Sequence, residues 1–347
     1  MQTEDIRRIR LYRQHLTAPA ETETVVKDLC GIQAQIPSNV PHALTIRTGK
    51  PADPETYGEG LVKNWTIRGT IHEFHKDDLP LFLPDPALYR KRDWHGYGVD
   101  AAVLTRERQD LLADRILEKV AEGVTGREEL KADCFSYGMT GAEADCMFES
   151  WGGGMRDLCA RSFLCYRAGG GREFMQCPDF VPMGVDMAER ELMRRYLTHY
   201  GPVTLRDMAY YFGWNQTKCR NIMASMTDTE IYSAKTEGRE YFWAGELPQN
   251  APEVPDCLFL AGFDPLMLGY EKKDGFFIPA ESLRGIFTLQ GIVMPALLLD
   301  GLAAARWKVT GRKLTVTCFR PLTEREQQTV SDQAAELFPK VSKIAFV

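Results

Sequence analysis

The chain reads as an α+β protein: tandem winged helix-turn-helix units followed by a C-terminal β-rich domain. Three observations predict this. Groups of two or three helical segments are each followed by a β-hairpin, about three times in succession. The third group runs helix, helix, glycine turn, helix, hairpin, the order of a winged helix-turn-helix. Beyond Pro248, Pro252 and Pro255 the pattern changes to short strands. At 347 residues the chain exceeds one comfortable core. The expected division is 1–100, 101–180, 181–250 and 251–347.

Each element follows from spacing and punctuation. In the first group, residues 4–16 place Ile6, Ile9, Leu11, Tyr12 and Leu16 near helical spacing. Thr22 caps a second helix reaching Cys30, and Pro37 stops the run after it. A third helix is expected from Pro54 to Lys63, with proline in its first turn. Residues Asn64–Arg68 and Thr70–His75 then alternate around Gly69 as a tight hairpin.

The second group has helices over 106–122, from Thr125 to about Cys134, and from Gly141 to Ala160. Gly152, Gly153 and Gly154 interrupt the last of these. Strands 162–168 and 172–177 flank a second glycine run. In the third group, Asp186–Tyr200, Leu205–Phe212 and Asn215–Met226 are helical, with Thr204 as a cap. Strands 229–235 and 239–244 pair around Glu237 and Gly238. Strands 291–299, 303–309 and 313–319, a helix Glu324–Phe338 and a final strand complete the chain.

Composition narrows the function classes. Hydrophobic residues make up 44% and charged residues 26%, as in folded soluble proteins. No apolar run approaches the ~18–20 residues of a membrane span. Met1 to Arg13 is charged and has no apolar core, so a secretory signal is not expected. Nine scattered cysteines form no C-x-x-C pair, which argues against zinc sites and disulfides and for a reducing cytoplasm. A net charge of −6 argues against general DNA packaging. Charge is nonetheless segregated. Arg7, Arg8, Arg10 and Arg13 cluster, as do Arg284, Arg306, Lys308, Arg312, Lys313 and Arg320 around the single Asp300.

The chemistry-bearing candidates are few. Gln33 and Gln35, in Gly31-Ile32-Gln33-Ala34-Gln35, are separated by one residue, so an extended backbone aims both amides to one side. Paired amides offer donors and acceptors to a water or a polar ligand edge. On the hairpin, Thr70 and His72 share one strand face, Trp65 shares a face with Ile67 and Gly69, and Arg68 sits at the tip. His72 and His75 face opposite sides of a strand, which excludes them as a metal pair. In the third group, Asn215, Gln216, Lys218 and Arg220 suit base edges or phosphates, although such helices also serve as scaffolds. The Gly152–Gly154 run fits tight helix packing better than a phosphate path. No nucleophile elbow, P-loop, dinucleotide fingerprint or zincin motif is present. Two classes remain: a DNA-binding regulator, or an enzyme acting on DNA.

Four segments together resemble one family. They are Gly31–Gln35, Trp65–His72, Phe263-Asp264-Pro265-Leu266-Met267-Leu268-Gly269-Tyr270, and Met294–Gly301 with Arg306-Trp307. In order, they are similar to the signature runs of the AlkZ/YcaQ-like winged-helix DNA glycosylases. Gln33-Ala34-Gln35 resembles the Gln–apolar–Gln motif of the AlkZ branch. The resemblance implies hydrolysis of the N-glycosidic bond of cationic or bulky alkylated purines in double-stranded DNA, including some interstrand crosslinks. It implies Gln33 and Gln35 as catalytic residues; the residues themselves make Thr70, His72, Arg68 and Trp65 on the hairpin, and Lys218 and Arg220 in the third group, the expected DNA contacts. A monomer in the cytoplasm, on the nucleoid, is expected, with no cofactor or metal and no membrane partner. The sequence departs from the family pattern at Asp264-Pro265 and at Ala303-Ala304-Ala305.

Overall fold

The computed structural model describes residues 2–85, 100–150, 152–169 and 171–347. Among them, the longer helices are α1 Thr3–Arg13, α2 Thr22–Asp28, α3 Asn39–Thr48, α4 Arg106–Ala121, α5 Arg127–Ser136, α6 Gly141–Met147, α7 Gly153–Ala160, α8 Val185–His199, α9 Leu205–Phe212, α10 Gln216–Ser225 and α11 Glu324–Leu337. Besides the two-residue strand Ile32–Gln33, the strands are β1 Leu61–Trp65, β2 Ile71–His75, β3 Leu164–Arg167, β4 Phe174–Gln176, β5 Ile231–Thr236, β6 Arg239–Ala244, β7 Cys257–Phe259, β8 Ala296–Leu299, β9 Leu302–Thr310, β10 Lys313–Cys318 and β11 Lys343–Phe346. Helix and strand are mixed throughout, as the α+β reading expects. No described helix is long and apolar enough to cross a membrane.

Two compact units contain these elements: residues 53–192 form one, and residues 1–52 with 193–347 form the other. In the first, β1 lies between β2 and β3, and β4 pairs with β3, every pairing antiparallel. Helices α4 to α7 cover this sheet with a core built on Leu112, Ile116, Leu130, Met147, Leu158 and Phe174. Gly153 and Gly154 close α7 onto α6. A Cβ at Gly154 would lie 2.0 Å from the Met147 sulfur, and one at Gly153 2.3 Å from the Cys146 carbonyl oxygen. The glycine run thus serves packing.

The second unit joins the N-terminal helices to the third helical group and the C-terminal sheet. The sheet order is β7-β8-β9-β10-β11, antiparallel except for the β10–β11 pair. Asp300 and Gly301 connect β8 to β9 with φ of 48° and 76°, the left-handed pair that a two-residue Asp-Gly turn requires. Ala304 is the bulged residue where the β8–β9 register shifts. The alanine run that departs from the family pattern therefore sits at a bend in a buried strand.

Of the expected caps Thr204 holds, whereas α2 has its cap position at Glu21 without a side-chain bond, Thr22 being its first helical residue, and α5 begins after Gly126 rather than at Thr125. Thr204 caps α9 reciprocally with Asp207, and Thr323 caps α11 with Glu326. The hairpin β5–β6 turns at Glu237-Gly238 as expected.

Other expectations are corrected. The expected helix from Pro54 to Lys63 is one turn, Pro54–Tyr57, because its cap Gly58 opens a turn that Gly60, at φ 78°, completes before Leu61 enters β1. The first hairpin is therefore wider than Gly69 alone. Trp65 pairs with Ile71, and Thr66–Thr70 form the connection. Thr70, Ile67 and Gly69 lie in that loop and share no strand face with His72 or Trp65. Helix α3 was not expected. Pro37 ends the preceding segment, but Pro41 falls in the first turn of α3, where a missing N–H does no harm.

The N-terminal arginines are not a surface patch. Arg10 and Arg13 are buried. Arg10 Nη2 donates to Asp207 at 3.1 Å, and its guanidinium lies over Tyr270 and Phe276. Arg13 donates to the carbonyls of Leu197, Gly201, Ala244 and Glu246. Desolvation lowers its pKa to about 10. Arg7 and Arg8 pair with Glu4 and Glu253.

Candidate active site

Gln33 and Gln35 leave α2 through a tight turn. Cys30 and Gly31 adopt φ of 57° and 88°, and the Gly31 N–H closes back to the Val26 carbonyl at 2.8 Å. Tyr200 Oη donates to the Leu29 carbonyl at 3.0 Å and fixes the same turn. Ile32 and Gln33 are then extended, flanked by the buried side chains of Ile32 and Ala34. The extended backbone brings the two amides together. Gln33 Nε2 donates to Gln35 Oε1 at 3.0 Å.

This pairing leaves one buried acceptor of Gln33 outside it. Gln33 is 4% exposed, and its Oε1 is buried with no partner among the described residues. Gln35 is half-buried. An unfilled acceptor on Gln33 thus stands beside the amide donor of Gln35. A buried acceptor with nothing to accept costs about 1–3 kcal/mol, so its retention calls for an explanation.

The far end of the segment is anchored as firmly. Helix α3 begins at Asn39 and carries Arg47, which is fully buried. Arg47 makes a two-pronged pair with Asp264, at 2.6 and 3.0 Å, and also donates to the Gln14 and Ala43 carbonyls. Asp264 in turn accepts from Leu266 N–H as the cap of the turn Pro265–Leu268. His42, on the same helix, bonds the Phe259 carbonyl at 2.7 Å and stacks on Phe338. Burial lowers the His42 pKa. The Asp264-Pro265 departure is thereby accounted for: the aspartate is a structural anchor and the proline opens a helical turn.

The hairpin residues lie in the other unit. His72 is buried, and Thr66 Oγ1 lies 2.7 Å from its Nδ1. Burial, reinforced by Arg68, lowers the His72 pKa to about 3, so the ring is neutral. The Thr70 hydroxyl donates to the Ile67 carbonyl at 3.0 Å and braces the turn. Arg68 occupies the tip at φ 60°. Trp65 is half-buried beneath the Arg156 guanidinium, 4.0 Å from its ring centroid. Sequence reasoning missed the buried Lys63–Glu73 pair opposite each other on β1 and β2. Burial lowers the Lys63 pKa and raises that of Glu73. Lys63 holds the Gly171 carbonyl, and Glu73 holds the Gly169 N–H.

In the third group, the side chain of Asn215 accepts from the Lys218 N–H at 2.8 Å, so it caps α10. Lys218 lies over Trp214, and Arg220 is exposed.

A solved structure of Streptomyces sahachiroi DNA glycosylase AlkZ shares this architecture, with a TM-score of 0.74 and 23% sequence identity over 100% of this chain and 99% of that chain. The fold is that of a DNA glycosylase. No curated protein sequence matches the chain. The family model for AlkZ-like DNA glycosylases matches residues 26–339, and the chain belongs to that family. Its class of activity is hydrolysis of N-glycosyl bonds in DNA.

Proposed function

We propose that this enzyme excises cationic or bulky alkylated purines, of the N7-alkylguanine type and including interstrand crosslinks, from double-stranded DNA. The hydrogen-bonded pair Gln33–Gln35, with its unfilled buried acceptor, carries this reading. A water donating to Gln33 Oε1 and accepting from Gln35 Nε2 would be held in one orientation against the anomeric carbon. The amide carbonyl dipoles would stabilise an oxocarbenium-like sugar. Neither group is a charged base. That suits an N7-alkylated purine, whose positive charge already makes it a good leaving group. No lysine neighbours the glutamines in sequence, so hydrolysis without strand-cleaving Schiff-base chemistry is the expected outcome.

DNA contact is assigned to Arg68, Thr70, His72 and Trp65 on the hairpin and to Lys218 and Arg220 on α10. Buried, neutral His72 and turn-bonded Thr70 suit contacts that need a fixed shape more than charge. We read the three helix-plus-hairpin segments, 1–100, 101–180 and 181–250, as winged helices, followed by the β-rich segment 251–347. The order α8-α9-α10-β5-β6 supports this for the third. A monomer acting on the nucleoid in the cytoplasm completes the proposal.

The test is a duplex carrying N7-methylguanine or a nitrogen-mustard adduct. Released base and heat-labile abasic sites are expected from wild type. Gln35→Ala should still bind the duplex but release little. No release from any cationic adduct, with a discrete footprint on one promoter sequence instead, would favour a regulator.

A further inference from the structure

Three helix ends converge on a cluster of two histidines and one aspartate. Asp28 is the last residue of α2, His199 the last of α8, and His15 follows the cap of α1. His15 Nε2 lies 2.8 Å from Asp28 Oδ2, and His199 Nδ1 lies 3.3 Å from the same oxygen. One ligand atom from each residue falls within 4.8 Å of the others. The side chains are 15%, 21% and 24% exposed, sheltered but open to water.

The geometry points to a divalent transition-metal site, with Zn²⁺ as the ion of choice. Two imidazoles and one carboxylate are a ligand set for zinc, which completes four-coordination with a water. Neutral rings can offer Nε2 of His15 and Nδ1 of His199 by carrying their protons on the opposite nitrogens. A second observation points to a cation independently. Each of the three helices directs its C-terminus here, and helix C-termini carry partial negative charge. A third concerns His15 itself, held at φ 59° in a left-handed position after α1, where glycine would be less strained. Three arginines lie near: Arg13 is held by four backbone carbonyls, Arg195 donates to the Lys27 carbonyl at 3.2 Å, and Arg194 acts on His199 through its charge. An ion here would clamp the end of α2, from which the chain turns through Cys30 and Gly31 into Gln33.

The test uses the full chain, stripped with chelator and dialysed. Zn²⁺ is titrated by calorimetry, Co²⁺ by its visible absorption, and melting is followed with and without zinc. Wild type should take up one equivalent of Zn²⁺, give tetrahedral Co²⁺ bands and melt higher when loaded. His15→Gly removes a ligand and relieves the left-handed residue, so its metal-free form should melt at or above wild type. Its zinc affinity should fall by at least about tenfold, the loss expected even when an outer partner of a metal ligand is removed. His199→Gln should lose binding in the same way. Absence of saturable zinc binding by wild type would overturn the site. So would equal binding by both variants, leaving a hydrogen-bonded His–Asp–His chain only. The readout is independent of base excision.

Discussion

Gln33→Leu separates the catalytic role proposed for the glutamine pair from any structural one. The substitution is nearly isosteric and buries an apolar group where Gln33 is 4% exposed. Two terms set the stability change. Losing the neutral bond from Gln33 Nε2 to Gln35 Oε1 costs about 0.5–1.5 kcal/mol. Removing the unpartnered buried Oε1 returns about 1–3 kcal/mol of desolvation penalty. The balance runs from about 0.5 kcal/mol destabilising to about 2.5 kcal/mol stabilising.

Activity should move the other way. If Gln33 Oε1 orients the attacking water, leucine removes a preorganised dipole worth about 10²–10³ in rate, or roughly 2.7–4 kcal/mol of barrier. Urea unfolding gives the first quantity, and single-turnover release of N7-methylguanine gives the second. A variant as stable as wild type or more so, yet at least about a hundredfold slower, is expected. Retained excision would refute the catalytic role. Destabilisation beyond about 1 kcal/mol would instead show that the pair is structural, because the orphaned acceptor would then have a partner unseen in this arrangement.

Three further outcomes follow. Asp264→Ala, which strips Arg47 of its partner and the Pro265–Leu268 turn of its cap, should cost about 3–5 kcal/mol in urea unfolding, while Arg47→Met/Asp264→Leu should recover much of it. His72 has a folded pKa of about 3, below the ordinary histidine value near 6.5. The folded state therefore binds fewer protons, and its contribution to stability is lost as pH falls from about 6.5 towards 3. His72→Phe should flatten that acid limb, and in wild type the His72 ring signals should not titrate above pH 5 by NMR. Gly301→Ala forces a side chain at φ 76° to within 2.5 Å of Arg7 Cδ, and should lower stability by about 1–3 kcal/mol in thermal unfolding.

Capped helices and punctuated hairpins were legible in the sequence because their signals are local. Thr204 and Glu237-Gly238 each announce a boundary within a few residues, and the structure places boundaries there, whereas the cap position of α2 is Glu21, one residue before Thr22. The glutamine spacing was legible for the same reason, since alternation in an extended segment needs no distant partner. What escaped depended on residues far apart in the chain. Arg47 and Asp264 are 217 positions apart, and nothing near either one signals a buried ion pair. Helix α3 was hidden by prolines, although Val40, Ala43, Leu44 and Arg47 already had helical spacing along its buried face. The N-terminal arginines misled because composition alone cannot tell a cation on the surface from one bonded to interior carbonyls.

The choice of amide over carboxylate follows from burial. A glutamate at position 33 would place a carboxylate where the side chain is almost entirely removed from water. Desolvation would raise its pKa, and near neutral pH part of the population would be protonated and poor as a base. An amide does not titrate, so its dipole persists at any physiological pH. Rigidity must then supply what charge does not. The segment has little freedom to give: Tyr200 and the Cys30-Gly31 turn fix its start, and Arg47 on α3 ties its end to Asp264. A neutral pair held this firmly gains most when the leaving base brings its own positive charge, and least against neutral bases. On this argument the proposed preference for cationic lesions would be set by the buried position of Gln33 as much as by the shape of any pocket that receives the adduct.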